Sequence, residues 1–234
     1  MRLLRIDASA RPEGSERSPH GSHTRRLTER FLRRWQAARP QDGVTVRDVG
    51  QTPPRPVTGA WIHAAFTKPE QRTSSMQEAL AESDALVDEL IAADLIVAGV
   101  PMYNFGMPAQ MKAYIDNIVR VGRTFGFDRA RAGEPYWPML EGMGKRLVLL
   151  SARGDYGYDP GGRMAHVNHV EAGVRDVLAY LGVTDFESVA VEYDEFRDAR
   201  FEASMAAAEQ SVDGLVDRLL AEAASKDAVV MAAQ

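Results

Sequence analysis

Three short clusters in this 234-residue sequence combine residue types able to hold a flat, phosphorylated ring. Ser22-His23-Thr24-Arg25 follows a long loop containing Ser9 and stands where Leu27, Phe31 and Trp35, four apart, begin a helical pattern. The first turn of a helix has unpaired N–H groups and the positive end of the helix dipole, so it favours an anion, and the Ser22 and Thr24 hydroxyls can add donors. Ser22 serves equally well as a plain helix cap. No glycine-rich dinucleotide fingerprint or P-loop occurs, which leaves hydroxyl-lined phosphate binding as the open mode. The second cluster, Pro101-Met102-Tyr103-Asn104-Phe105, sets a thioether, a phenol, an amide and a phenyl ring side by side. Asn104 both donates and accepts, and the aromatic faces offer packing surface, as a flat heteroaromatic ligand requires. Read without a ligand, Tyr103 and Phe105 plug the end of a sheet. Ala152-Arg153-Gly154-Asp155 is the third cluster.

A scaffold must bring these clusters together. Residues 3–7 read as a short strand, 22–39 as a helix stopped by Pro40, and Val44, Val46 and Val49 as a second strand. Pro53, Pro54, Pro56 and Pro69 predict an irregular excursion. Ser75 and Glu78 have capping-box spacing ahead of a helix bearing Leu80, Leu86, Val87, Leu90 and Ile91. Residues 95–100 are apolar throughout, as in a central parallel strand covered on both faces. After Pro108 a helix presents Met111, Ile115, Ile118 and Val119, and residues 123–145 are rich in Gly, Pro and aromatics. Residues 147–150 form a fourth strand. Val170, Val174, Val177, Leu178 and Leu181 lie on a helix that stops at Gly182, Val189 and Val191 mark a fifth strand, and residues 200–223 a last helix.

Strands alternating with helices predict an α/β three-layer sandwich: a five-stranded parallel sheet of order 2-1-3-4-5 with helices on both faces. The expected division is a single domain over residues 1–224 with a tail over 225–234. Ligands of such sheets bind beyond the carboxyl ends of the strands at the topological switch, so loops 8–23, 101–107 and 151–163 are the ones to inspect.

Composition removes several function classes. A net charge of −5 argues against nucleic acid as partner, because phosphate neutralisation needs clustered cations, and points to small molecules. With no cysteine there is no disulfide, thiolate nucleophile or Cys-based zinc site. No apolar run approaches the roughly 20 residues of a membrane span, and Arg2, Arg5 and Asp7 interrupt any signal-peptide core, so no membrane partner and a cytoplasmic location are expected. His166 and His169, three apart on a predicted helix, lack a third ligand and read as helix surface rather than a metal pair. No Ser–His–Asp arrangement is discernible, and Ser151 does not match a nucleophile elbow. No catalytic side chain and no metal are therefore assigned.

Pro101-Met102-Tyr103-Asn104-Phe105, Gln110-Met111-Lys112-Ala113-Tyr114-Ile115-Asp116 and Arg120-Val121-Gly122-Arg123-Thr124-Phe125 together resemble the FMN-dependent NADH-azoreductase family of quinone reductases. The similarity extends loosely over residues 3–220, with an enlarged first loop between Ser9 and Ser22. It implies a flavodoxin-like homodimer with FMN at each subunit interface, NADH or NADPH as donor, and a quinone or azo compound receiving two electrons in a ping-pong cycle. Carried over by position, Ser9, Ser22, His23 and Thr24 meet the phosphate and ribityl end, and Pro101 to Phe105 line the flavin ring. Ala152, Arg153, Gly154 and Asp155 hold the pyrimidine edge, and Phe125, Tyr136 and Trp137 lie near the acceptor. Asp155 departs from the family's Ser-Arg-Gly-Gly segment; a carboxylate there opposes negative charge on the reduced ring unless it points to solvent or pairs with Arg153. Two rivals share the fold: a flavodoxin-type electron carrier, and a cofactor-free interaction module.

Overall fold

The computed structural model describes residues 1–232, and their side chains except those of 226 and 229–232. Strands β1 (Arg2–Asp7), β2 (Gly43–Asp48) and β3 (Leu95–Pro101) are followed by a hairpin of β4 (Phe125–Phe127) and β5 (Tyr136–Pro138), then by β6 (Arg146–Ala152) and β7 (Asp185–Val191). Five of these form one parallel sheet in the order β2-β1-β3-β6-β7, which is the expected 2-1-3-4-5 order of main-sheet strands. Every residue of β3 is buried, consistent with its unbroken apolar run.

Among the described residues there are six helices, α1 (His23–Ala38), α2 (Gly59–Phe66), α3 (Ser74–Ala92), α4 (Ala109–Ile118), α5 (His169–Leu181) and α6 (Ala199–Ala232); all but α2, which packs on α3, cover the sheet. Successive side chains of β3 point to opposite faces. Ile96, Ala98 and Val100 join a core built with α3, α4 and α5, while Leu95 and Val97 join one built with α1 and α6. The α1 stripe of Leu27, Phe31 and Trp35 packs in the second core with Met205, Val212 and Val216 of α6. Gly182 ends α5 at φ 106°, a left-handed conformation suited to glycine.

Three expectations are corrected, and one unassigned segment gains structure. The proline-rich excursion is not irregular throughout: Thr58 caps α2, Pro69–Gln71 form a 3-10 turn, and Ala64 and Ala65 bury against Leu80. The α3 cap is Thr73, whose hydroxyl accepts from the Met76 N–H, and not Ser75, whose Oγ lies 2.9 Å from that of Thr73. Segment 123–145 contains the β4–β5 hairpin, with Trp137 paired opposite Gly126. His166 falls in a 3-10 turn and His169 opens α5, so the two do not share a helix. Of the expected tail, residues 225–232 continue α6, while 233–234 lie outside the described residues.

Candidate functional site

Strands β1, β3, β6 and β7 end at one edge of the sheet, and the loops leaving them enclose two adjoining clefts of about 220 and 290 Å³. Ser9, Arg11, Ser22, His23, Pro101, Met102, Tyr103, Ala152, Gly154, Asp194 and Glu195 line the first. The second is lined by Met102, Asn104, Phe105, Gly154, Asp155, Tyr158, Met164 and Glu195. All three sequence clusters thus converge on one place.

The first cleft is built on the start of α1. Ser22 caps this helix by accepting from the Arg25 N–H, and the His23 and Thr24 N–H groups have no hydrogen-bond partner among the described residues. Those free donors and the dipole of a 16-residue helix make the end a site for an anion. Thr24 itself does not line the cleft: its side chain is buried with Oγ1 3.0 Å from Ser22 Oγ. Arg25 is also buried: it donates to the Ser9 and Arg11 carbonyls at 2.9 and 2.6 Å and pairs with Asp48 through two contacts of 2.7 Å. The enlarged first loop is therefore held from below.

His23 carries a connection across 171 residues. Its Nδ1 lies 2.8 Å from Ser15 Oγ and its Nε2 2.8 Å from Asp194 Oδ1, a Ser–His–Asp chain that spacing in the sequence did not disclose. His23 beside Asp194, with Arg11 and Arg197 nearby, holds the Asp194 carboxyl below the usual carboxylate range. The chain ties three elements together: the first loop, α1 and the loop after β7.

Asn104 and Phe105 form the tip of a tight turn in which Tyr103 and Gly106 exchange backbone hydrogen bonds of 2.8 and 3.1 Å. Both tip residues have positive φ, 49° and 69°, uncommon for an Asn and an outlier for a Phe. They persist because the surroundings fix them: the His169 N–H donates to the Phe105 carbonyl at 3.0 Å, and the Tyr103 hydroxyl accepts from the Ala10 N–H at 3.3 Å. The turn holds an amide and a phenyl ring, both exposed, over the second cleft.

The Ala152–Asp155 wall is positioned from behind. The Arg153 side chain, buried, turns away from the clefts to Glu171, Asp159 and Glu192 at 2.5, 2.8 and 2.9 Å. Those three carboxylates hold its guanidinium further toward the charged form despite burial. Glu192 also accepts from the Gly157 and Tyr158 N–H groups, so the network fixes the loop bearing Gly154. Asp155 pairs with Arg163, not with Arg153 as one alternative had it.

Phe125, Tyr136 and Trp137 are not brought to these clefts. Phe125 is buried between Tyr136 and Tyr180, Tyr136 is half exposed, and the Arg131 guanidinium lies over Trp137. Arg11, Tyr158, Met164, Asp194 and Glu195 line the clefts without having been anticipated. Arg11 sits in the enlarged loop, and Asp194 and Glu195 follow the fifth main-sheet strand, away from the topological switch between strands one and three. No group of three or more His, Asp or Glu side chains suited to a metal ion occurs among the described residues.

The comparisons agree on one lineage. A family model described as flavodoxin-like fold matches residues 1–215. The chain is 40% identical over 217 residues to the FMN-dependent NADH:quinone oxidoreductase 2 of Idiomarina loihiensis, spanning 93% of this chain and 90% of that one. It is 42% identical over 210 residues to the FMN-dependent NAD(P)H:quinone oxidoreductase 1 of Pseudomonas aeruginosa, spanning 89% and 95%. Among solved structures, an azoreductase from Bacillus anthracis strain Sterne superposes with a TM-score of 0.79 over 93% of this chain and 99% of that one at 24% identity, a likeness of fold.

Proposed function

We infer the function from one premise: this chain belongs to the flavodoxin-like family whose curated relatives are FMN-dependent NAD(P)H:quinone oxidoreductases. It is an FMN-dependent NAD(P)H:quinone oxidoreductase with azoreductase-like activity. The observation that carries this reading is the fit of the two joined clefts to such a cofactor. At one end His23, whose N–H is unpartnered among the described residues, lines the cleft beside the Ser9 and Ser22 hydroxyls and Arg11. At the other, Met102, Asn104 and Phe105 offer apolar surface and an amide, and Gly154 adds no side chain of its own to the wall. A phosphate suits the first end and a flat heteroaromatic ring the second, and the residues present fit FMN.

Bound there, FMN supplies hydride acceptance from NADH or NADPH and two-electron delivery to a quinone or azo compound, with donor and acceptor taking turns. The chain's own part is to bind, orient and tune. The α1 N-terminus anchors the phosphate, the strained 103–106 turn fixes a ring wall, and the Arg153 network holds the opposite wall rigid. Asp155, neutralised by Arg163, adds less negative charge beside the ring than a free carboxylate. No protein acid or base is assigned to the chemistry.

The active form in this reading is a homodimer. Tyr136, Met139 and Tyr180 are exposed, and an isolated chain keeps the Phe125–Tyr136–Trp137 hairpin away from its own clefts. Pairing would set one chain's hairpin against its partner's cleft and cover the acceptor site. Dependence on NADH or NADPH fits a cytoplasmic location, where those donors are available; no described helix is long and apolar enough to cross a membrane.

The test is reconstitution with FMN followed by assay. The protein should turn yellow, melt at a higher temperature as FMN is added because a native-state ligand stabilises by mass action, and oxidise NADH or NADPH in the presence of a simple benzoquinone. Protein that stays colourless and gains no thermal stability from FMN contradicts the reading. FMN binding without quinone turnover points to the electron carrier instead.

A further inference from the structure

Only Met102, Gly154 and Glu195 line both clefts, so they mark the junction between the anion end and the ring end. Met102 is apolar and Gly154 has no side chain. Glu195 is therefore the one polar side chain at the junction among the described residues. We propose that the Glu195 carboxylate is the hydrogen-bond acceptor for a polyol chain, the ribityl hydroxyls of FMN, as that chain passes from the phosphate end to the ring. The proposal rests on the FMN reading above and adds a residue to it that the family resemblance did not supply.

Three observations support it. First, the neighbouring acids have cationic or imidazole partners: Asp155 pairs with Arg163, and Asp194 lies 2.8 Å from His23. Glu195 has neither an ion pair nor a side-chain hydrogen bond among the described residues, so its acceptors are available. An ionised carboxylate accepts and cannot donate, and a polyol chain crossing the junction brings hydroxyl donors. The match is one of chemical type.

Second, the backbone that carries the carboxylate is held in place. The Glu195 N–H donates to the Gly154 carbonyl at 3.1 Å, and the Tyr193 N–H to the Asp155 carbonyl at 3.3 Å, so this loop runs against the Gly154 wall. The Glu195 side chain lies over Gly154 so closely that a β-carbon there would stand 2.5 Å from Oε1. The Glu195 side chain thus occupies the space that a side chain at 154 would take. Third, the loop is set by unusual backbone: Tyr193 and Arg197 have φ of 68° and 50°. Stacking of Tyr193 on Tyr156 at 4.8 Å, with Phe196 against both rings, keeps that geometry. Strain retained beside a cleft is what a positioned side chain needs.

The role predicts a definite pattern. A hydrogen bond to a charged group contributes more than a neutral one, so Glu195→Ala should weaken FMN binding about 10-fold or more and Glu195→Gln by less. Oxidised and reduced FMN should lose affinity equally, because the polyol does not change on reduction, and the midpoint potential of bound FMN should stay at the wild-type value. Lumiflavin, which has the ring without the polyol, should bind wild type and Glu195→Ala alike. Glu195 is exposed, so both variants should fold, as melting without ligand will report.

The experiment titrates wild type and both variants with FMN and with lumiflavin by flavin fluorescence, and measures the potential of the FMN complexes. Unchanged FMN affinity in Glu195→Ala overturns the proposal. So does a shift in potential, or an equal loss for lumiflavin, since either places the carboxylate at the ring. A wild-type protein that binds no FMN fails the FMN reading itself, and that outcome is distinct because it needs no variant.

Discussion

Along the seam between α1 and α6, Arg26, Arg30, Arg34 and Arg39 meet Glu209, Asp213, Asp217 and Asp227 at 2.7–2.8 Å, above a packed layer of Phe31, Trp35 and Val212. At the rim above the strand ends, by contrast, stand all four non-glycine residues of positive φ in the described chain, Asn104, Phe105, Tyr193 and Arg197. Among the described residues, helix N–H groups there lack partners and Glu195 pairs with no cation. The seam satisfies its groups internally, while the rim leaves donors and acceptors open and tolerates strain. Stability and binding should therefore separate by location.

The strongest test of that separation removes bulk from the seam. Trp35 is almost fully buried, stacks on Phe31 and donates to Asp42. Trp35→Ala should cost about 3–5 kcal/mol in urea unfolding, yet the fraction that remains folded should bind FMN as wild type does. Weakened binding in that fraction would erase the distinction.

Arg153 is the place where the two behaviours meet. Arg153→Ala leaves Glu171 and Glu192 as uncompensated, partly buried carboxylates and should cost about 3 kcal/mol. Here FMN affinity should fall together with stability, because the same network carries the Gly154 wall. Loss of stability alone would show that the wall is held by something else.

At the turn the two effects should take opposite signs. Replacing Phe105 by Gly relieves a left-handed conformation that costs a side-chain residue about 1–2 kcal/mol. The variant should be more stable by roughly 1 kcal/mol and a poorer quinone reductase, read by chemical unfolding and by steady-state NADH oxidation. A variant both less stable and fully active would mean that the strain at this turn has no function.

The smallest expected effect concerns acid. Asp194 titrates below its ordinary value of 3.8 because His23 hydrogen-bonds it. Its contribution is present in full above that ordinary value and is lost as the pH falls through the lower folded value. His23→Ala removes the hydrogen bond that maintains the shift, so the acid-unfolding midpoint should rise by about a few tenths of a pH unit. An unchanged midpoint would detach this pair from stability.

What the sequence disclosed follows the same division. The unbroken run at residues 95–100, the stripe of Leu27, Phe31 and Trp35, and the stop at Gly182 are local patterns, and each formed the expected element. Met102 to Phe105 and Gly154 were legible because a central strand ends beside them or because they resemble a family segment. Short elements were not legible: α2 has eight residues between prolines, and each hairpin strand has three, too few for a period to emerge. Thr73 and Ser75 both offer a hydroxyl, and only the path of the chain selects Thr73. Arg11, Asp194 and Glu195 escaped because their place depends on separate loops meeting, as His23 meets Asp194 across 171 residues and Glu195 meets Gly154. Nothing in their local pattern distinguishes them.

The central claim is that the rim holds FMN and passes two electrons from a nicotinamide donor to a quinone. Anaerobic mixing of the FMN-loaded protein with NADH or NADPH, followed by benzoquinone, tests it most directly. Flavin absorbance should bleach with the donor in the absence of quinone and return in full when quinone is added alone. A flavin that stays oxidised with both donors, or one that bleaches and is not restored by quinone, would contradict the account.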